Sequence, residues 1–193
     1  MAVSPDEVVT IVSGLPRSGT SLMMQMIAAG GIPPLTDEVR TADEDNPRGY
    51  YEYEPVKKTK EDPSWLEQAR GKVVKMVYRL LHDLPKGYHY RVVFTLRKLE
   101  EVIASQNVML QRRQKAGGGL SDEKLREVFA AEIDRTRQWL AEQPNFEVLY
   151  VDYNELIRDP APQVARINEF LGGQLDTAAM AAAVDPTLYR QRR

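Results

Sequence analysis

Eight residues near the start of the chain, Gly14-Leu15-Pro16-Arg17-Ser18-Gly19-Thr20-Ser21, combine glycines, hydroxyls and one guanidinium. A β-branched run, Val8-Val9-Thr10-Ile11-Val12, precedes them, and Leu22, Met23, Met26 and Ile27 follow at helical spacing. A loop leading from a buried strand into a helix presents backbone N–H groups and the positive end of the helix, which together hold a phosphate. Arg17 adds a planar cationic fork suited to phosphate oxygens. The plainer reading of these residues is a helix cap with an incidental glycine spacing. Lys75 is the second candidate, standing in the apolar run Val73-Val74-Lys75-Met76-Val77-Tyr78. An ammonium is costly to bury without an anion partner, so Lys75 is expected to point at a bound anion or at its reaction partner. An edge-strand lysine with its head in water is the alternative.

Two further strands, Val73 to Tyr78 and Arg91 to Leu96, have to position these groups, with a fourth at Glu147 to Val151. Helices are expected over about Leu99 to Arg113, from Ser121 onward through Leu125, Val128, Phe129, Ile133, Trp139 and Leu140, and over Pro162 to Leu171 before Gly172-Gly173. Strands alternating with helices predict an α/β fold with a largely parallel sheet covered on both faces. The Pro-rich, acidic and aromatic segment 30–63 is expected to be a structured loop over the sheet edge, and Gln114 to Asp122, with Gly117-Gly118-Gly119, a mobile one.

The bulk numbers narrow the field. The 193 residues, 42% hydrophobic, suffice for one core, so one domain over 1–193 is expected. A net charge of -2 argues against a nucleic-acid or anionic-membrane partner, and the absence of cysteine excludes disulfides, thiolate metal sites and a cysteine nucleophile. Two histidines are too few for most zinc sites, so no metal is expected. There is no basic leader before an apolar stretch and no membrane-spanning run, which reads as a soluble, cytoplasmic protein.

The spacing of Gly14 and Gly19 matches the nucleotide-binding P-loop, but Thr20 stands where that motif has its lysine, which weakens an ATP or GTP reading. The segment Pro16-Arg17-Ser18-Gly19-Thr20-Ser21 instead resembles the 5'-phosphosulfate loop of sulfotransferases that use 3'-phosphoadenosine 5'-phosphosulfate (PAPS), in its arginine-containing variant. Arg97 and, eight positions on, Ser105 resemble the family's pair for the 3'-phosphate, with Lys98-Leu99 departing from the usual turn between them. The run Val148 to Pro160, followed by a helix ending Glu169-Phe170-Leu171-Gly172, resembles the family's late strand-and-helix block. The resemblance implies a P-loop NTPase-like three-layer fold and a PAPS-dependent enzyme. Arg17, Ser18, Gly19, Thr20, Ser21, Arg97, Ser105 and Tyr153 would then bind the cofactor, with Tyr153 toward its adenosine end. Arg17 and Lys75 would act in transfer, and the acceptor would be a small molecule or a glycan.

The histidine base of many cytosolic relatives is absent, since Val77 occupies that position. Glu38, twenty-one residues after Arg17, resembles the carboxylate that protein-tyrosine sulfotransferases place near their acceptor and is the expected base, with Arg40 to orient it. Asp37, Asp43 and Glu52 compete for the role, and a solvated loop carboxylate is the simpler reading of each. Tyr50 and Tyr51 either line an acceptor pocket or pack. The basic end, Val184 to Arg193, either closes over the cofactor's phosphates or is a solvated terminus. A P-loop kinase-like enzyme needs Mg²⁺ with an acidic strand-end residue. A noncatalytic nucleotide-binding protein needs the fold alone.

Overall fold

The computed structural model describes residues 8–37, 39, 40, 42, 43, 46, 48–112 and 119–185. Its elements in chain order are β1 (Val8–Gly14), α1 (Thr20–Ala29), a 3₁₀ turn (Glu54–Lys58), α2 (Leu66–Ala69), β2 (Val73–Lys75), a second 3₁₀ turn (Tyr78–Asp83), β3 (His89–Leu96), α3 (Leu99–Arg112), α4 (Asp122–Ala141), β4 (Phe146–Asp152), α5 (Tyr153–Arg158), α6 (Pro160–Phe170) and α7 (Thr177–Ala182). The four strands are parallel, in the order β2-β1-β3-β4. β1 is buried throughout, as an inner parallel strand has to be.

Strand alternation sorts the core into two layers. Val9 and Ile11 of β1, Val74 of β2 and Val92 and Phe94 of β3 face a layer that includes Leu66 of α2, Val102 of α3 and Leu140 of α4. Val12, Val73, Val93 and Val151 face the other, packed on Met23, Met26 and Ile27 of α1, Leu156 of α5, Ile167 of α6 and Met180 of α7. The expected three-layer α/β fold is therefore observed. No helix among the described residues is long and apolar enough to cross a membrane.

The differences are local. β2 ends at Lys75 instead of running to Tyr78, two residues short of its neighbour β1, which goes on to Gly14 paired with β3 alone. Met76 N still donates to Val12 O (2.9 Å), after which the chain coils into the 3₁₀ turn. Lys75 thus sits at a strand end, over the mouth of the sheet. α5 and α7 are each 6 residues, too short to leave a periodic signal. The segment after α1 follows the outer edge of β2, where Leu35 N donates to Val73 O (2.8 Å) and Val73 N to Pro33 O (3.0 Å). Ser121 caps α4 as expected, its hydroxyl accepting from Lys124 N. Residues 113–118, most of the glycine-containing loop, lie outside the described residues, as do 186–193 of the basic end.

Candidate active site

The 14–21 loop turns between β1 and α1 through three left-handed or near-left-handed residues, Gly14 (φ 148°), Arg17 (φ 72°) and Gly19 (φ 100°). A Cβ on Gly14 would lie 2.6 Å from Thr95 Oγ1, so only glycine lets β1 end this close to β3. Arg17 is the strained one, an arginine in a conformation that favours glycine, as residues held for function often are. Its Nε donates to Ser105 Oγ (2.9 Å), across 88 positions of sequence.

Ser18 does not line the cavity. Its hydroxyl is buried, donates to Leu15 O (2.7 Å) and lies 2.7 Å from Thr95 Oγ1, and its N–H donates to Leu15 O (3.1 Å). With both polar groups spent on the protein, Ser18 braces the loop from beneath. Gly19, Thr20 and Ser21 line the cavity above it.

A second wall is built at the end of β3. Arg97, its side chain 8% exposed, donates from Nε to Glu101 Oε2 (2.9 Å) and from Nη1 to Arg17 O (3.1 Å), with its guanidinium 4.7 Å from the centre of the Tyr153 ring. The turn at Lys98-Leu99 is intact: Glu101 N and Val102 N both bond Lys98 O at 3.1 Å, and Lys98 N donates to Asn154 Oδ1 (3.1 Å). Tyr153, first residue of α5, is buried against the loop; a Cβ on Gly19 would sit 2.2 Å from its ring. Burial also pushes the Tyr153 phenol above its ordinary range.

The third wall carries Lys75. Its Nζ donates to Tyr50 O and to Ser21 Oγ (3.4 Å), and lies 3.9 Å from Glu52 Oε1. Burial, helped by the nearby Arg40 and Arg17, lowers Lys75 to about 8 against the pull of Glu52. Glu52 is paired with Arg40 (2.7 Å), whose guanidinium covers the Tyr50 ring at 3.3 Å.

Of the competing carboxylates, Asp37 accepts from Glu54 N (2.6 Å) and Val39 N (3.1 Å), and Asp43 from Tyr50 Oη (2.6 Å); both hold the segment in shape. Glu52 faces the cavity. Glu38 lies outside the described residues. Tyr50 lines the cavity, whereas Tyr51 packs against the core layer around α1. His82 packs at a tilt against Trp139 (ring centres 4.0 Å apart) and does not line the cavity.

These walls enclose a cavity of about 510 Å³, within the size range of small-molecule sites. Arg17, Lys75 and Arg97 all line it, a set of donors suited to a ligand with separated anionic groups. Tyr53, Val56, Val77, Leu80, Val108 and Met109 give it an apolar wall, and Gln25, Arg40, Asn46, Glu52, Lys57, Arg112 and Asp185 add polar and charged groups. Sequence reasoning missed this apolar wall, which comes from three separate segments, and also the contact of Arg48 with Asp185 (2.7 Å) at the rim. It missed Glu101 too, although the i, i+4 spacing from Arg97 was a usable signal.

The fold is shared with solved sulfotransferase structures. Retinol dehydratase, solved with androsterone and the inactive cofactor PAP, matches at 15% identity and a TM-score of 0.51 over 98% of this chain and 66% of that one. A sulfotransferase from Alicyclobacillus acidocaldarius matches at 16% identity and a TM-score of 0.51 over 98% and 97%. The sulfotransferase domain of the Synechococcus PCC 7002 olefin synthase matches at 14% and 0.52 over 94% and 86%. At these identities the likeness is one of fold; this chain spans just under two thirds of the retinol dehydratase chain. No curated protein matches by sequence. The family assignment comes from the sequence model of the sulfotransferase domain, which matches residues 7–191. With that match running from β1 through every element that builds the cavity, the chain belongs to the sulfotransferase domain family.

Proposed function

We propose that this chain transfers a sulfuryl group from PAPS to the hydroxyl or amine of a small-molecule acceptor. The observation that carries this reading is the convergence of Arg17, Lys75, Arg97 and Ser105 on a single cavity that also has an apolar wall. PAPS supplies the sulfuryl group and departs as adenosine 3',5'-bisphosphate. The backbone N–H groups of Gly19, Thr20 and Ser21 at the start of α1 hold the 5'-phosphate, and Arg17 balances the charge that builds on the bridging oxygen. Arg97 and Ser105 take the 3'-phosphate. Lys75 reaches the transferring group from the end of β2, and an anion beside it restores the charge that burial makes costly. Catalysis of this kind is mostly positioning and fixed charge. Acceptor deprotonation falls to a carboxylate of the 36–52 segment; Glu52, beside Lys75 and Arg40, has the geometry among the described residues.

The kinase-like alternative needs a carboxylate at a strand end to hold Mg²⁺. Asp152 ends β4, but its Oδ1 accepts from Asn154 N (2.7 Å) and Glu155 N (3.0 Å) and so caps α5.

The test is a thermal-shift titration with adenosine 3',5'-bisphosphate, AMP and Mg²⁺-ATP, since a ligand bound only by the folded state raises its stability. The expected result is a shift selective for the bisphosphate. Ser105→Ala should weaken it about tenfold, the size of one lost hydrogen bond to a charged group. A shift with Mg²⁺-ATP alone, or with none of the three, overturns the reading. Arg97→Ala is a poor probe here, because it would strand the buried Glu101 carboxylate and destabilise the fold.

The apolar wall favours an acceptor whose hydroxyl sits on an apolar or aromatic body over a glycan. Val77 is 42% exposed on this wall. Val77→Asp is expected to raise KM for a phenolic acceptor about tenfold, by placing a charge where an apolar surface docks, with bisphosphate binding unchanged. An unaltered KM would place the acceptor elsewhere.

A further inference from the structure

Behind the second wall lies a polar relay whose inner members, Glu101 and Asn154, do not line the cavity. Lys98 N donates to Asn154 Oδ1 (3.1 Å), Asn154 Nδ2 donates to Glu101 Oε1 (3.0 Å), and Glu101 Oε2 accepts from Arg97 Nε (2.9 Å). Glu101 is fully buried, and Arg97 nearly so. The direction of the relay is dictated at its start. Lys98 N is a backbone donor, so Asn154 must turn its oxygen toward it and its amide N–H₂ toward Glu101. Glu101 then faces a donor on each oxygen. Only a carboxylate, which accepts on both, satisfies that arrangement. A buried carboxylate left unpaired would be costly, so the three side chains hold one another in a single geometry.

The consequence falls on Arg97. Its Nε edge is taken by Glu101 and its Nη1 by Arg17 O, which orients the guanidinium plane at the end of the cavity where Ser105 lies. A guanidinium gains most from a phosphate when its fork is already oriented, since less side-chain freedom is lost on binding. We propose that Glu101, acting with Asn154, is the positioning residue that aims Arg97, so that preference for a nucleotide carrying a 3'-phosphate depends on a carboxylate that never contacts the ligand. The proposal rests on the PAPS reading above.

The test measures the affinity ratio between adenosine 3',5'-bisphosphate and AMP by calorimetry, with circular dichroism to confirm folding. Wild type is expected to prefer the bisphosphate by about a hundredfold, the combined effect of one ion pair and one hydroxyl contact. Glu101→Gln puts an amide N–H₂ against that of Asn154 or against Arg97, and is expected to cut the ratio about tenfold with AMP affinity nearly unchanged. Adding Asn154→Asp to that variant gives every donor an acceptor again. The new carboxylate accepts from Lys98 N and from the introduced amide N–H₂, and the amide oxygen accepts from Arg97. The double variant should recover the ratio to within about threefold.

A structural role would weaken both ligands alike and leave the ratio at its wild-type value. An unchanged ratio in Glu101→Gln, or no recovery in the double variant, overturns the proposal. If Glu101→Gln fails to fold, Asn154→Ala decides: it spares the ion pair, is expected to lower the ratio about threefold, and overturns the proposal if the ratio holds. A wild-type protein with no preference for the bisphosphate overturns the PAPS reading and this one together, whereas a wild-type preference that survives in every variant overturns this one alone.

Discussion

Lys75→Met is expected to abolish sulfuryl transfer and, at the same time, to raise the melting temperature of the ligand-free protein. The lysine side chain is only 13% exposed, and burial holds its pKa at about 8, below the ordinary value of 10.5. Between those two values the unfolded chain carries a proton at this site that the folded chain has lost. Folding stability contributed by Lys75 therefore rises with pH across that window, and below about pH 8 the penalty is present in full, about 3 kcal/mol from a depression of this size.

Methionine removes the charge while filling most of the space. Glu52 keeps Arg40 at 2.7 Å and Tyr50 O keeps Ser21 Oγ at 3.4 Å, so neither loses its last partner. A net gain of about 1–2 kcal/mol at pH 7 should follow, seen as a rise of about 2–6 °C for a chain of this size. Calorimetry at pH 7 and again at pH 10.5 checks the cause, because the gap between variant and wild type should close as the wild-type lysine becomes neutral. Turnover should fall about a thousandfold, as when a fixed charge is removed from a transition state. A variant that melts lower at pH 7 would show that Lys75 is a structural anchor, and one that retains turnover would remove it from the transfer step.

Gly19→Ala should do the reverse and damage fold and site together. The residue has φ +100°, and an added Cβ would lie 2.2 Å from Cδ2 and 2.7 Å from Cε2 of Tyr153. These are atoms of a rigid, buried ring, with no flexible end to swing aside. Either the loop lifts off Tyr153 or the ring is driven into Arg97, which lies above it at 4.7 Å. The expected cost is about 3–5 kcal/mol, from backbone strain and overpacking combined. Bisphosphate binding should weaken at least about a hundredfold, because the loop amides shift relative to Arg97 and Ser105. Gly31→Ala is the control: φ there is +113° but nothing lies within 4 Å of the added carbon. It should show the conformational cost, about 1–2 kcal/mol, with binding intact. Equal losses in the two variants would mean that the Tyr153 contact contributes nothing to the site.

Legibility in the sequence followed the range of the interaction. The 14–21 loop could be read because its features, two glycines at a fixed interval between an apolar strand and an apolar helix face, are contiguous. The long helices announced themselves by period and cap. β2 was overextended because Val77 and Tyr78 are as apolar and β-prone as Val73; the chain instead leaves β1 after Lys75 and coils into the 3₁₀ turn at Tyr78, which no local preference encodes. Ser18 carried the same hydroxyl as Ser21 in the sequence, and only packing distinguishes them. The strand-to-helix turn drives Ser18 under Thr95 and leaves Ser21 on the first turn of α1, facing the cavity.

The sequence by itself determined the layered α/β architecture and the strand-loop-helix around residues 14–21, since each element arises from residues close together in the chain. Tertiary structure decided which side chains share the cavity. The order β2-β1-β3-β4 sets the C-terminal ends of parallel strands side by side, so Lys75 at the end of β2, the loop after β1 and Arg97 just beyond β3 meet although they are distant in the chain. It also decided how each is aimed: Arg17 onto Ser105, Arg97 onto Glu101, Glu52 between Arg40 and Lys75. The physical reason is that a buried charge adopts the orientation its partners permit, and those partners are assembled only when the sheet closes.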